Sequence, residues 1–176
     1  MKALFLDRDG VINEDLGYVY RKEDFIFKKG ILSLTRKALH NDFSIFIVTN
    51  QAGIARGYYT EDDFLQTSKW LKEYFQEKGV VITDIYYCPH HPKYGSEIYK
   101  RKCNCRKPKP QMFLDAQTDY EINMDQSIMI GDKPSDLIAA ESAGVKGLYL
   151  IGNLNEEDLR YDSYKRLSDI ERIIFD

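Results

Sequence analysis

The chain has 176 residues, 43% of them hydrophobic, and a formal net charge of -3. That length suits one domain with a single core, and the composition is that of an ordinary globular protein rather than a disordered one. The slightly acidic balance argues against a nucleic-acid partner held by phosphate contacts, and no apolar run reaches the roughly 18 residues of a membrane span. The start, Met1 to Asp7, is interrupted by charge too soon for a secretory signal. Three cysteines are a poor disulfide framework, so a reducing cytoplasm is the expected home.

In chain order, Ala3 to Leu6 reads as a buried strand that ends at Asp7-Arg8-Asp9-Gly10. A helix near Ile31 to Leu39 precedes a second apolar strand, Ser44 to Thr49, which runs into Asn50 and Gln51. Thr60-Glu61-Asp62-Asp63 then reads as a helix-capping sequence. It opens a segment with Phe64, Ser68, Leu71 and Phe75 on one face, and Gly79 closes that segment. Strands follow at Ile82 to Cys88, Ser127 to Ile130 and Gly147 to Ile151. Pro110 and Pro134 stand where helices should start, Gly144 ends the Leu137 to Ala143 segment, and residues 164 to 175 read as a covering helix.

Strands alternating with helices predict an α/β, doubly wound (Rossmann-like), mostly parallel sheet. Ligands of such sheets lie beyond the carboxyl ends of the strands. The polar clusters occur at those ends: Asp7 with Asp9, Thr49 with Asn50 and Gln51, and Gly131 with Asp132. The stretch from Pro89 to Pro110 has little periodicity and needs another source of order.

Asp7 and Asp9, two positions apart where a strand ends, can converge on one site, and a hard divalent cation would offset their repulsion. A solvated turn is the plain alternative for Asp-x-Asp alone. The ordered set of Asp7, Thr49, Lys107 and Asp132 at strand tips makes that alternative weak. A carboxylate nucleophile forms an acyl phosphate that water can reopen. Asp7 would be that nucleophile, and Asp9 would protonate the departing oxygen and later take a proton from water. Thr49 and Lys107 would hold the phosphoryl oxygens, and Asp136 would support Asp132. Separately, Cys88, His90, Cys103 and Cys105 form a C-x-H then C-x-C pattern suited to one tetrahedral Zn2+, which would order the aperiodic stretch. The adjacent His90 and His91 compete for the fourth place.

With these residues in view, the sequence resembles the haloacid-dehalogenase-like hydrolases, and within them the D-glycero-D-manno-heptose 1,7-bisphosphate phosphatases. The match is carried by Asp7 to Asn13, Gly17-Tyr18-Val19, Thr49-Asn50-Gln51, Cys88 to Pro92, Cys103 to Pro108 and Gly131-Asp132. The resemblance implies Mg2+ held by Asp7, the Asp9 backbone carbonyl and Asp132, and it favours His90 over His91 as the zinc ligand. It further implies a substrate set of Asp15, Leu16, Gly17, Tyr18, Thr49, Asn50, Gln51, Ala52, Arg106, Lys107 and Lys133, with Arg106 also counted in the catalytic group.

On this reading residues 1–176 form one phosphatase domain with a zinc loop at 88–105 and no separate cap domain. The expected protein is a monomer acting on a small sugar phosphate in heptose biosynthesis for lipopolysaccharide or other surface glycans. Gln111 departs from the family, which often has a small residue there. Histidinol-phosphate phosphatase is the nearest rival, but it usually has Thr where this chain has Val11. A zinc-organised binding module with a retired site is the rival from another class. It would lack one of Asp7, Asp9, Thr49, Lys107 or Asp132, and all five are present.

Overall fold

The computed structural model describes residues 1–152 and 160–176. Six strands, β1 (Lys2–Leu6), β2 (Phe43–Asn50), β3 (Ile82–Cys88), β4 (Ile128–Gly131), β5 (Gly147–Ile151) and β6 (Ser163–Tyr164), form one sheet in the order β3-β2-β1-β4-β5-β6. Every pairing is parallel. Six α-helices accompany them among the described residues: α1 (Ile31–His40), α2 (Ala52–Ala55), α3 (Glu61–Glu77), α4 (Gln111–Tyr120), α5 (Pro134–Ser142) and α6 (Leu167–Phe175).

Both faces of the sheet are covered, which is why the central strands read as unbroken apolar runs rather than alternating ones. Leu4 and Leu6 of β1 pack with Ile31 and Leu34 of α1, Leu71 and Phe75 of α3, and Leu167 and Ile170 of α6. Ala3 and Phe5 point the other way, toward Phe113 and Ala116 of α4 and Leu137 and Ala140 of α5. The period-2 alternation of a strand thus sorts one short sequence into two cores.

Three elements depart from the expectation. The strand β6 has only two residues, pairs with the sheet edge at β5, and replaces the start of the expected final helix, which begins at Leu167. The four-residue α2 is too short to show a period. Pro110 caps α4 from outside instead of opening its first turn. Pro134 does occupy the first turn of α5.

The strand order reverses at β1, whose neighbours β2 and β4 leave in opposite directions along the sheet. The crevice at this switch point lies between the carboxyl ends of β1, β2 and β4. No helix among the described residues is long and apolar enough to cross a membrane.

Helix α3 begins with a reciprocal cap. The Thr60 hydroxyl accepts the Asp63 N–H at 3.1 Å, and the Asp63 carboxylate accepts the Thr60 N–H at 2.8 Å. The bonds that the Thr60 N–H and the Thr60 hydroxyl donate to it hold the Asp63 carboxyl below its ordinary value. A depressed carboxyl contributes stability above its unfolded pKa and loses it as pH falls through the folded one. Thr60→Ala is therefore expected to cost about 1 kcal/mol at neutral pH in urea unfolding. The gap to the parent chain should narrow as the pH is taken below the ordinary Asp value.

Candidate functional site

Asp7 is the first residue beyond β1, and its backbone N–H still bonds to the Ile130 carbonyl of β4 at 3.1 Å. Its side chain faces Lys107, which arrives from the loop after the cysteine cluster. Lys107 is only 3% exposed. Its Nζ donates to Asp7 Oδ1 at 2.9 Å, to Asp136 Oδ1 at 2.8 Å and to the Val48 carbonyl at 2.8 Å. Asn50, at the end of β2, fixes the lysine backbone from both sides: Oδ1 accepts the Lys107 N–H at 3.0 Å and Nδ2 donates to the Lys107 carbonyl at 3.2 Å.

Burial raises the Asp7 carboxyl most strongly, Lys107 opposes the rise, and Asp136 and Asp132 add to it; the outcome is about 8. Burial likewise raises Asp132. For Lys107 burial works downward, but Asp136 and Asp7 outweigh it and the ammonium is held above its ordinary value. Three carboxylates thus converge around one buried ammonium, leaving negative charge that a divalent cation would neutralise.

The geometry fits such a cation. Asp7, Asp132 and Asp136 can each bring an oxygen within 4.8 Å of the others. Asp132 Oδ1 is buried with no hydrogen-bond partner among the described residues, as a ligand atom awaiting a metal would be. Two glycines make the approach possible. A Cβ on Gly10 would lie 2.3 Å from Asp132 Oδ2, and one on Gly131 would lie 2.4 Å from the Asp136 Cβ.

Asp9 stands apart from this cluster. Gln51 Nε2 donates to Asp9 Oδ2 at 3.2 Å and to the Thr49 hydroxyl at 2.8 Å, while Asn13 Nδ2 donates to Asp9 Oδ1 at 3.0 Å. Tyr59 donates its hydroxyl to Gln51 Oε1 at 2.5 Å, which fixes which end of that amide faces Asp9.

An open cleft of about 670 Å³ collects these groups. Of the expected substrate set, Asp15, Gly17, Tyr18, Thr49, Asn50, Gln51, Ala52, Arg106, Lys107 and Lys133 line it. Leu16 does not: it is 59% exposed. Asp15 Oδ1 accepts the Gly17 N–H at 3.1 Å, closing a turn with Leu16 at its tip. Lys133 reaches across the cleft mouth to Asp15 at 3.2 Å and lies 3.5 Å from Asp132. Sequence reasoning missed Tyr59 and Ser135 as lining residues. Tyr59 follows the turn after α2 and carries no motif, so only its contact with Gln51 reveals it.

A second cluster lies behind Arg106. The ligand atoms of Cys88, His90, Cys103 and Cys105 lie within 4.8 Å of one another. Cys88 Sγ is 3.5 Å from Cys103 Sγ and 3.0 Å from Cys105 Sγ, and His90 Nδ1 is 3.2 Å from Cys105 Sγ. A tetrahedral Zn2+ would place its ligand atoms about 3.5–3.8 Å apart, so this donor set fits with small adjustment. The hydrogen bond between Cys88 and Cys105 pushes the Cys105 thiol down to about 5 and the Cys88 thiol up. His91 is used differently: its Nδ1 accepts the N–H groups of Lys93 and Tyr94 at 3.1 and 3.2 Å.

The chain is similar to known proteins in sequence and in fold. A family model described as HAD-hydrolase-like matches residues 104–169. The chain is 48% identical over 143 residues to the D-glycero-beta-D-manno-heptose-1,7-bisphosphate 7-phosphatase of Vibrio cholerae, covering 81% of this chain and 77% of that one. It is also 48% identical over 150 residues to the D-glycero-alpha-D-manno-heptose-1,7-bisphosphate 7-phosphatase of Burkholderia mallei, covering 85% and 79%. Among solved structures, the D,D-heptose 1,7-bisphosphate phosphatase of B. bronchiseptica, complexed with magnesium and phosphate, superposes with a TM-score of 0.81. That pair is 28% identical, with 99% of this chain and 98% of that one covered.

The buried triad of Asp7, Lys107 and Asp136 supports a stability test. Asp136→Asn leaves the ammonium with one fewer anionic partner, and breaking a buried pair of this kind is expected to cost about 3 kcal/mol in denaturant unfolding.

Proposed function

Because the chain belongs to the heptose-1,7-bisphosphate 7-phosphatase family of haloacid-dehalogenase-like hydrolases, we propose that it releases the 7-phosphate of D-glycero-D-manno-heptose 1,7-bisphosphate by way of an aspartyl phosphate on Asp7. The observation that carries the reading is the buried Asp7, hydrogen-bonded to Lys107 and facing the unpartnered oxygen of Asp132.

In the first half-reaction a carboxylate oxygen of Asp7 bonds to phosphorus as the ester bond to the sugar oxygen breaks, and Asp9 gives that oxygen its proton. In the second, water bonds to phosphorus, Asp9 takes its proton, and the bond to Asp7 breaks to release phosphate. The Thr49 hydroxyl and the Lys107 ammonium hold the phosphoryl oxygens. The bond that Lys107 makes to Asp7 is the one it would pass to the transferring group, because Asp136 and Val48 keep its other two donors occupied. Asp7, Asp132 and the Asp9 carbonyl would hold Mg2+, which would supply positive charge against the phosphoryl oxygens.

Arg106 and Lys133, at the cleft wall, suit a second phosphate or the sugar hydroxyls, and Gly17 with Tyr18 forms the loop that meets the sugar. Among the described residues no inserted element covers the cleft, in keeping with a substrate that enters from open solvent. We read residues 1–176 as one domain, monomeric and cytoplasmic, supplying a dephosphorylated heptose for surface glycans. The zinc loop at 88–105 takes one Zn2+ through Cys88, His90, Cys103 and Cys105. Because Cys105, Arg106 and Lys107 are consecutive, fixing the first limits where the other two can go.

Asp7→Asn is expected to abolish Mg2+-dependent phosphate release from the heptose bisphosphates of either anomeric form, while circular dichroism and melting behaviour stay those of a folded protein. Near-normal turnover in that variant would remove Asp7 from its role. Metal analysis of chain purified without added zinc is expected to find close to one zinc per chain. Its removal by a chelator should speed hydrogen exchange within residues 89–105. Less than about half an equivalent would count against the zinc loop.

A further inference from the structure

Arg8 is almost wholly buried, at 2% exposed, yet neither half-reaction uses it. Its guanidinium lies over two aromatic rings, 5.5 Å from the Phe25 centroid and 5.7 Å from that of Phe64. One nitrogen, Nη2, carries all its hydrogen bonds: to Asp9 Oδ1 at 3.0 Å, to Asp9 Oδ2 at 2.9 Å and to the Val19 carbonyl. Nε and Nη1 are buried with no partner among the described residues. Burying a charge this way is costly, and an apolar side chain of similar volume would fill the same space at no such cost. The arginine is therefore poorly explained as packing.

Its bonded end meets two elements of the site at once. Asp9 is the acid–base group, and Val19 directly follows the Gly17-Tyr18 turn that lines the cleft. With Asn13 and Gln51 also bonded to Asp9, each oxygen of that carboxylate has a fixed donor besides Arg8.

We propose that Arg8 is a positioning residue that sets the carboxylate of Asp9 and, through the Val19 carbonyl, the sugar-facing turn in one fixed relation. The inference rests on the phosphatase reading and adds to it a residue that never touches substrate. The rings of Phe25 and Phe64 pack against the guanidinium, the guanidinium holds Asp9, and proton transfer to the leaving oxygen depends on where Asp9 is held.

The test exploits the leaving group. A sugar oxygen needs a proton as it departs, whereas p-nitrophenolate leaves as a stable anion and does not. The ratio kcat/KM for each substrate reports the step that forms the aspartyl phosphate. Arg8→Met should lower kcat/KM for the heptose bisphosphate on the order of 10- to 100-fold, within the range that acid–base catalysis supplies. On p-nitrophenyl phosphate kcat/KM should stay nearly unchanged. Added to Asp9→Asn, the same substitution should cost less on the sugar substrate than it does alone, because the part of its effect that runs through the Asp9 carboxylate is already gone.

Equal losses on both substrates, or full additivity with Asp9→Asn, would assign Arg8 a merely structural part. Unchanged turnover would overturn the proposal as well. Should Arg8→Met not fold, Arg8→Lys, which keeps the charge but whose ammonium stops one bond short of the Nη2 position that meets both Asp9 and Val19, carries the same comparison. Absence of Mg2+-dependent release by the parent chain from either substrate would instead reject the phosphatase reading itself.

Discussion

Lys107 is the point through which the site is assembled. A lone buried ammonium is costly, and here it is offset by three acceptors from three places: Asp7 beyond β1, the Val48 carbonyl in β2 and Asp136 in α5. No single strand end could supply that set. The parallel sheet brings the three together because β1 sits between β2 and β4, so the chain segments leaving these strands open onto one crevice. Gly131 then allows the Asp136 side chain to approach, and Asn50 holds the lysine backbone in register with β2. The arrangement leaves more carboxylate than ammonium, and that surplus suits a bound cation.

The two clusters are different answers to unlike demands. At Asp7, Asp132 and Asp136 the donors are hard oxygens, and one of them is left open, which suits a labile Mg2+ and a visiting phosphoryl group. At Cys88, His90, Cys103 and Cys105 the donors are mostly sulfur and close on one another, which suits a permanent structural ion. The second set supports the segment from which Arg106 and Lys107 project. Tyr99, in the same segment, also donates its hydroxyl to Glu61 at the start of α3 at 2.8 Å, so the loop is tied to the fold at a point away from the cysteines.

How much of this could be read from the sequence depended on whether a residue's role is set locally. The strands β1 to β5, the cap at Thr60 and the polar strand ends follow from hydrophobic runs and punctuation, and they lie where the runs put them. Asp7, Asp9, Thr49, Lys107 and Asp132 were legible because carboxylates and their partners at strand tips form an ordered pattern. Leu16 was misplaced because the turn closed by Asp15 and Gly17 directs the intervening side chain outward, and neighbours in sequence need not share a surface. β6 escaped because two residues have no period and become a strand only beside β5. Tyr59 and Arg8 escaped for a third reason: each acts through another side chain, and such dependence exists only in three dimensions.

A hundred positions separate Asp7 from Lys107. During synthesis the carboxylate is therefore made long before its counter-charge leaves the ribosome, and Asp132 and Asp136 come later still. The growing amino-terminal portion can lay β1 beside β2, and β2 beside β3, yet its acidic tip has no ammonium to face until the chain has passed the cysteine-bearing loop. Electrostatic completion of this crevice thus belongs to the late stages of folding, and a fragment truncated ahead of residue 107 would carry the Asp7 carboxylate without the ammonium it faces.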